Sequence, residues 1–366
     1  LNFEEELQKI KNKNLYRSPQ TPLGIDLASN DYLGLKNHKD IIDSFQSGLV
    51  EYGMGSGASR LVSGHRSIID DWEKGFAEFV GMESALWVAN GFIANLGLLD
   101  TLADSRTTIF TDRLNHASIL DGIRISGAKK KYYNHLDLDH LESLLKNTQS
   151  KQKIIISETV FSMDGDTPDL DRLVALKLKY DALLILDEAH AFGIFGKEGS
   201  GLSRDDKFMN LKLNSHIDFK VYTMGKSLGL EGGMITSSKL AKEFLINKMR
   251  SFIFSTGPIP AIAKAALKSL EILRSMDSER ARILAMANKL RSDISLKSIP
   301  TIPGNSQIIP ILMDSEEKAI SEMMRFRNLG FDIKAIRPPT VIQSRLRCSI
   351  HGDLTWDQLN RFSQFL

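Results

Sequence analysis

The chain alternates between short apolar runs rich in β-branched residues and longer stretches with helical spacing. Seven of these runs lie near residues 85–89, 107–111, 130–133, 153–158, 182–187, 219–223 and 232–236. Helical or turn segments separate them, the pattern of an α/β domain with a mainly parallel sheet. The last two runs stand too close for a helical crossover, so they are expected to form a hairpin-like or antiparallel pair. Helical periodicity predicts a short helix over 3–13, with Phe3, Leu7 and Ile10 on one face, and another at about 38–51. A long helical pattern runs from Ala261 to about Lys297, interrupted near Met276. Ile25–Ser29 reads as a strand, as do IIPIL, FDIKAI and RLRCSI near the C-terminus, with helices at 315–329 and after Thr355. The expected organisation is an N-terminal segment 1–37, a large domain 38–260 with a seven-stranded sheet, and a smaller α+β domain 261–366. The helix around 261–275 is the expected joint.

Composition narrows the class without naming a chemistry. A chain of 366 residues is long enough to bury a sizeable core. Hydrophobic residues at 42% and charged residues at 25% are ordinary for a globular protein. A net charge of +2 gives no reason to expect nucleic acid. The single cysteine, Cys348, rules out an intramolecular disulfide framework and suits a reducing cytoplasm. No apolar stretch is long enough to span a bilayer. The N-terminal segment is amphipathic and carries acidic residues, unlike a signal or transit peptide, and the missing initiator Met suggests a trimmed start.

The most informative segment is FKVYTMGKSLGLEGG, Phe219–Gly233. It sets Lys226 in a glycine-bounded turn at the end of an apolar strand. A lysine there is costly to bury as a cation. Desolvation makes it lose its proton more easily, and the free amine can then form a Schiff base. Gly225-Lys226-Ser227 imitates the end of a phosphate-binding P-loop, but that motif needs a glycine where Lys220 stands. An ordinary surface lysine in a turn is the plain alternative. ALLILDEAH, Ala182–His190, reads as a buried strand with Asp187 and His190 at its carboxyl end, where ligands of open α/β sheets bind. Asp187 could cap a helix or hold a metal, though no further cluster of metal ligands is evident. It could also face a protonated pyridine nitrogen. That is the aspartate pyridoxal phosphate (PLP) requires beside its lysine, so the two segments together point to PLP.

Other candidates follow the ends of other strands. Asn90-Gly91-Phe92 opens a helix-like segment whose free amides suit a phosphate. His116 lies in a loop and is either a satisfied structural histidine or an aromatic face for a planar cofactor. Glu158–Asp166, ETVFSMDGD, presents Ser162. Arg337 precedes two prolines that stiffen its backbone, and a fixed guanidinium binds carboxylates in bidentate fashion. The glycine-rich run GMGSGASR contains a relaxed dinucleotide pattern from Gly53 to Ala58. It follows an apparent helix rather than a strand, so a Rossmann site is disfavoured.

Taken in order, SNDYLGL, GSGASRLVSG, DRLNHAS, ETVFSMDGD, LDEAHAFGIFGKEGSG, TMGKSLGLEGG, FSTGPIP and AIRPPTV resemble the α-oxoamine synthase family of fold-type-I PLP enzymes. The resemblance runs from about Asp26 to near the C-terminus. It implies that Lys226 holds PLP and moves protons at the substrate α-carbon. Asp187 would pair with the ring nitrogen, His190 and Ser162 would lie by the phenolic oxygen, and His116 would stack on the ring. Gly91, Phe92 and Thr223 would take the phosphate, with Ser255 and Thr256 serving the neighbouring subunit's phosphate in a homodimer. Asn30, Arg337 and, more loosely, Arg17 would contact substrate, and Glu158 would support the site. Within the family, SRLVSG and IRPPTV imply the branch condensing L-alanine with a pimeloyl thioester, carried by CoA or an acyl carrier protein. His65 after Gly64 points the same way, since glycine- and serine-using relatives tend to carry threonine there. Ile342-Gln343-Ser344 departs from the family's usual loop. The alternatives left open are another amino acid and thioester pair, such as glycine with acetyl-CoA, and a non-catalytic relative of the fold.

Overall fold

A computed structural model describes residues 1–205 and 213–366. The chain divides into two compact units. One comprises residues 1–30, 163–166 and 281–366, and the other comprises 31–162 and 167–280.

The first strand, β1 (Ile25–Asp26), belongs to the smaller unit and is shorter than its apolar run suggests. Asp26 Oδ1 accepts the amides of Ala28 and Ser29 at 2.7 and 3.0 Å, turning the chain out of the extended state.

The larger unit is built on β2 (Ser84–Val88), β3 (Thr107–Asp112), β4 (Lys129–Tyr133), β5 (Gln152–Glu158), β6 (Leu183–Asp187), β7 (Phe219–Thr223) and β8 (Gly233–Ser237). All seven expected strands form, within about a residue or two of their predicted bounds. They lie in one sheet in the order β2-β8-β7-β6-β5-β3-β4. The pairs among β3 to β7 are parallel, and β8 runs antiparallel to both β7 and β2. The short β7–β8 connection leaves no room for a crossover, which is why that pair is antiparallel.

Leu86, Ile109, Ile154, Ile156, Ile185, Val221 and Ile235 of the sheet pack with Leu98, Ile119 and Leu245 from helices Gly91–Leu102, Ala117–Ser126 and Lys239–Lys248. A second apolar group joins Trp72 and Phe76 of helix Ser67–Val80 to Phe192 and Tyr222, with ring centroids 5.1–5.5 Å apart. The sheet is therefore covered on both faces, as its near-continuous apolar strands require. One consequence places chemistry: the parallel strands end together, so the loops after β5, β6 and β7 share one edge.

Helix Pro260–Arg274 belongs to the larger unit, so the division falls at Arg280 rather than before Ala261. The reason is close packing on helix Lys39–Tyr52, where a Cβ added at Gly48 would sit 2.8 Å from Ala261 Cα. Residues 31–37 also count with the larger unit. The helical pattern breaks at Ser275–Met276, as expected, before helix Asp277–Leu296.

In the smaller unit, β9 (Ile308–Leu312), β10 (Phe331–Asp332), β11 (Lys334–Ile336) and β12 (Arg345–Ser349) replace the three expected strands with four. FDIKAI is split at Ile333. Its first half pairs parallel with β1, and its second half pairs antiparallel with β12, which also pairs with β9. One run thus serves two sheets, which periodicity alone does not reveal.

Candidate active site

Lys226 sits in the turn between β7 and β8. The Gly229 amide donates to its carbonyl at 2.9 Å, and Met224 and Leu230 close the turn at 3.0 Å. Gly229 has φ +66°, and a Cβ there would lie 2.4 Å from the Lys36 nitrogen. Glycine is thus required both by conformation and by close approach. Lys226 Nζ lies 2.8 Å from His190 Nε2, and His190 Nδ1 lies 2.6 Å from the Tyr32 hydroxyl. Tyr32 is fully buried and His190 nearly so. The imidazole is therefore held from both sides, with one nitrogen against the lysine amine.

Asp187 ends β6 and is buried. The Ala189 amide donates to Oδ1 at 2.9 Å, and Asn95 Nδ2 donates to Oδ2 at 2.7 Å. The same Asn95 nitrogen lies 3.0 Å from Ser118 Oγ, which lies 2.8 Å from His116 Nδ1. The Ser118 amide also donates to that nitrogen, at 3.2 Å. Nδ1 is thereby an acceptor and the proton of a neutral ring belongs on Nε2. Desolvation lowers the His116 pKa from its ordinary value, Asp187 opposes this, and Lys226 reinforces it. His116 caps helix Ala117–Ser126, and its ring meets Phe92 edge-on at 6.3 Å.

Glu158, ending β5, accepts the His116 amide at 2.7 Å and the Ser162 amide at 3.2 Å. Burial pushes its carboxyl up to about 8, and Asp187 adds to that rise. Lys226 and the two backbone donors pull against it.

The β2 end turns into helix Gly91–Leu102. Asn90 takes the Ile93 and Ala94 amides through its side chain and carbonyl, both at 2.9 Å. The Gly91 and Phe92 amides precede any intrahelical acceptor and remain for a ligand. A Cβ on Gly91 would lie 3.2 Å from Thr223 Cβ and 3.5 Å from its Oγ1, so the threonine hydroxyl stands beside this helix start. A cavity of about 250 Å³ joins these parts, lined by Gly91, Phe92, His116, Glu158, Asp187, His190, Thr223 and Lys226 among others.

The other expected site residues lie elsewhere. Ser162 is buried beside Glu158 but does not line the cavity. Ser255 and Thr256 line a separate cavity of about 250 Å³ with Arg60 and Glu231. Asn30, Arg17 and Arg337 belong to the smaller unit. There Asn30 Oδ1 accepts from Arg347 at 3.2 Å. Arg337 donates to the carbonyls of Asn14 and Tyr16, and burial with the nearby Arg17 charge lowers its pKa. Asn95, Ser118 and Tyr32 were missed from sequence. Asn95 is a polar residue inside an otherwise apolar helical segment, IANLGLLDTL, and that was its signal. Tyr32 lies within the SNDYLGL motif.

A lysine amine beside an imidazole, a buried carboxylate and a helix N-terminus at parallel-strand ends define a PLP enzyme of fold type I. The aminotransferase class I and II family matches residues 23–366. A protein of Bacillus cereus (strain ZK / E33L) named "Putative 8-amino-7-oxononanoate synthase" is 40% identical over 334 residues, 90% of this chain and 84% of its own. The 8-amino-7-oxononanoate synthase of Francisella tularensis has 29% identity and a TM-score of 0.80, covering 93% of this chain and 97% of its own. The serine palmitoyltransferase of S. paucimobilis, solved with PLP and myriocin bound, has 26% identity and a TM-score of 0.90 over 99% and 94%. The chain belongs to the α-oxoamine synthase family of PLP-dependent enzymes, and its cofactor is pyridoxal phosphate.

The donor set fits that group. The Gly91 and Phe92 amides and the Thr223 hydroxyl suit a phosphate dianion. The buried Asp187 carboxyl group is held by two donors, placed as the partner a ring cation needs. Among the described residues no helix is long and apolar enough to cross a membrane.

Proposed function

We propose that the enzyme condenses L-alanine with a pimeloyl thioester, releasing CO2 and the carrier thiol, to give 8-amino-7-oxononanoate, a step of biotin synthesis. The observation that carries this reading is 40% identity across 90% of the chain to the B. cereus protein of that name. The SRLVSGH stretch agrees with it. His65 is held by Arg60 Nε at 3.2 Å and by Asp70 at 2.9 Å.

Lys226 would hold PLP, which would supply an electron-accepting ring that stabilises negative charge at the amino-acid α-carbon. Asp187 would hold the proton on the ring nitrogen, and Asn95 holds Asp187. Lys226 Nζ would take the substrate α-proton as general base. Across the overall reaction the α-carbon would gain the acyl group as the thiol leaves and lose CO2, and Lys226 would return a proton to the same carbon. His190 holds the lysine amine in place and would lie by the ring's phenolic oxygen. His116, whose pKa is lowered by desolvation, would offer its face to the ring. Gly91, Phe92 and Thr223 hold the phosphate. Glu158 orients the His116 and Ser162 backbone. Arg337 and Asn30 orient the substrate carboxylate, which lowers the entropy cost of alignment. Arg17 contributes a further substrate contact. The chain acts as a cytoplasmic homodimer in which Ser255 and Thr256 serve the partner's phosphate.

Product analysis tests the reading. The purified enzyme is incubated with L-alanine, glycine or L-serine, each with pimeloyl-CoA, pimeloyl acyl carrier protein, acetyl-CoA or palmitoyl-CoA. Alanine with a pimeloyl thioester should turn over fastest. Faster turnover of glycine with acetyl-CoA, or of serine with palmitoyl-CoA, would move the enzyme to another branch of the family.

A further inference from the structure

The Asn90–Phe92 turn is fixed on two sides, and only one side is explained by the cofactor site. On the inner side, Gly233 of β8 pairs in register with Val88. A Cβ there would sit 2.4 Å from the Asn90 carbonyl carbon and 2.8 Å from the Gly91 nitrogen. The turn therefore rests directly on the β8 backbone.

The outer side is different. β2 is the edge strand of the sheet, with β8 as its only strand partner among the described residues. An edge strand carries backbone donors that no ladder satisfies, and a buried one is costly. The Trp87 amide is such a donor on a buried strand. It donates to Glu73 Oε1 at 2.7 Å. Glu73, on helix Ser67–Val80, is 1% exposed. A bare carboxylate so deep would be penalised, and two cations offset this. Arg60 Nη1 reaches Oε1 at 2.5 Å, and Lys242 Nζ reaches Oε2 at 2.7 Å. Arg60 is itself fixed, by His65 at 3.2 Å and over the Phe252 ring at 5.2 Å. The carboxylate is thus a charged hub tied to helices on either side of β2, and its one backbone contact lies three residues before Asn90.

We infer that Glu73 is a positioning residue for the phosphate cradle: by accepting the Trp87 amide it fixes the end of β2, and so the aim of the Gly91 and Phe92 amides. This rests on the reading of those amides as the phosphate site. Glu73 touches neither cofactor nor substrate, so its action is on geometry. Its effect falls on the phosphate end, while the ring contacts of Asp187, His190 and Lys226 come from β6 and the β7–β8 turn.

The test compares PLP with pyridoxal, which lacks the phosphate. The protein purified with its cofactor is resolved and retitrated with each, for the wild type, Glu73→Asp and Glu73→Gln. Aspartate keeps a negative charge between Arg60 and Lys242 but falls one methylene short of Trp87. Glutamine keeps an acceptor at Trp87 and loses the charge. In the wild type, PLP should bind far more tightly than pyridoxal. Glu73→Asp should cut that preference about tenfold, the effect of one misplaced charge-assisted hydrogen bond. Pyridoxal affinity should stay within about twofold on the same grounds. Glu73→Gln should lower the melting temperature yet keep most of the preference. If both variants lose stability and both keep the wild-type preference, Glu73 is only structural and the inference is overturned. If the wild type shows no preference, the cradle reading itself fails. Hydrogen exchange on the wild-type holoenzyme tests the contact on which the inference stands even where a variant does not fold. The Trp87 amide should exchange as slowly as the β2 ladder amides, and fast exchange there contradicts the inference.

Discussion

Replacing Asn95 with leucine should separate cofactor binding from stability. Asn95 is 2% exposed, and its side-chain nitrogen donates to Asp187 at 2.7 Å and to Ser118 at 3.0 Å. Its Oδ1 is buried without a hydrogen-bond partner. Asn95→Leu removes a hydrogen bond to a charged group, about 1.5–3 kcal/mol, and a neutral one of about 1 kcal/mol. It also removes an unsatisfied buried acceptor, which returns about 1–3 kcal/mol. The stability terms leave a net loss of about 1 kcal/mol, so the melting temperature should fall by no more than about 2–4 °C. The binding term has no such offset, because Asp187 loses the donor that aims it at the ring nitrogen. Losing about 1.5–3 kcal/mol of that interaction weakens PLP about 10- to 100-fold. The assay is an absorbance titration of the resolved protein with PLP, beside a thermal melt. Wild-type PLP affinity in a variant with a clearly lowered melting temperature would refute the chain of contacts from Asn95 through Asp187 to the cofactor.

Four further outcomes follow from the same geometry. Glu158→Gln should alter the pH dependence of the cofactor-free protein. A carboxyl raised to about 8 when folded contributes stability below its ordinary range and loses it as pH rises through 8. The variant should therefore gain on the wild type in thermal melts between pH 5 and pH 8, and a constant difference would remove Glu158 from this role. Gly233→Ala should destabilise the fold by more than about 2 kcal/mol in urea titrations, since its Cβ would collide with the Asn90 carbonyl. Arg337→Ala should raise the alanine KM with PLP still bound, and loss of PLP would make Arg337 structural instead. Lys226→Ala should abolish turnover while leaving non-covalent PLP, checked by mass spectrometry after borohydride reduction; a reduced adduct on another lysine would displace Lys226.

The large sheet was legible because each strand is a compact apolar run with turn chemistry at its ends. Lys226, Asp187, His190 and His116 were legible because all follow such runs, and strand ends in a parallel sheet gather at one edge. What stayed hidden needed tertiary contact. Asn95 and Tyr32 act through side chains 92 and 158 positions away, and no local pattern reports such pairings. Ile333 splits an alternating run because the chain changes sheet there. The loss of strand after Asp26 comes from a side chain taking two backbone amides, which competes with extension. Helix Pro260–Arg274 joined the larger unit through close packing at Gly48, a contact between segments far apart in sequence.

The visible absorption spectrum of the purified protein, before and after L-alanine, glycine or L-serine, tests the central claim most directly. A yellow band carried on Lys226 that shifts most readily with L-alanine is expected. A band that responds only to glycine or serine would contradict the alanine reading while keeping the cofactor. No band even after incubation with PLP would contradict the account at its root.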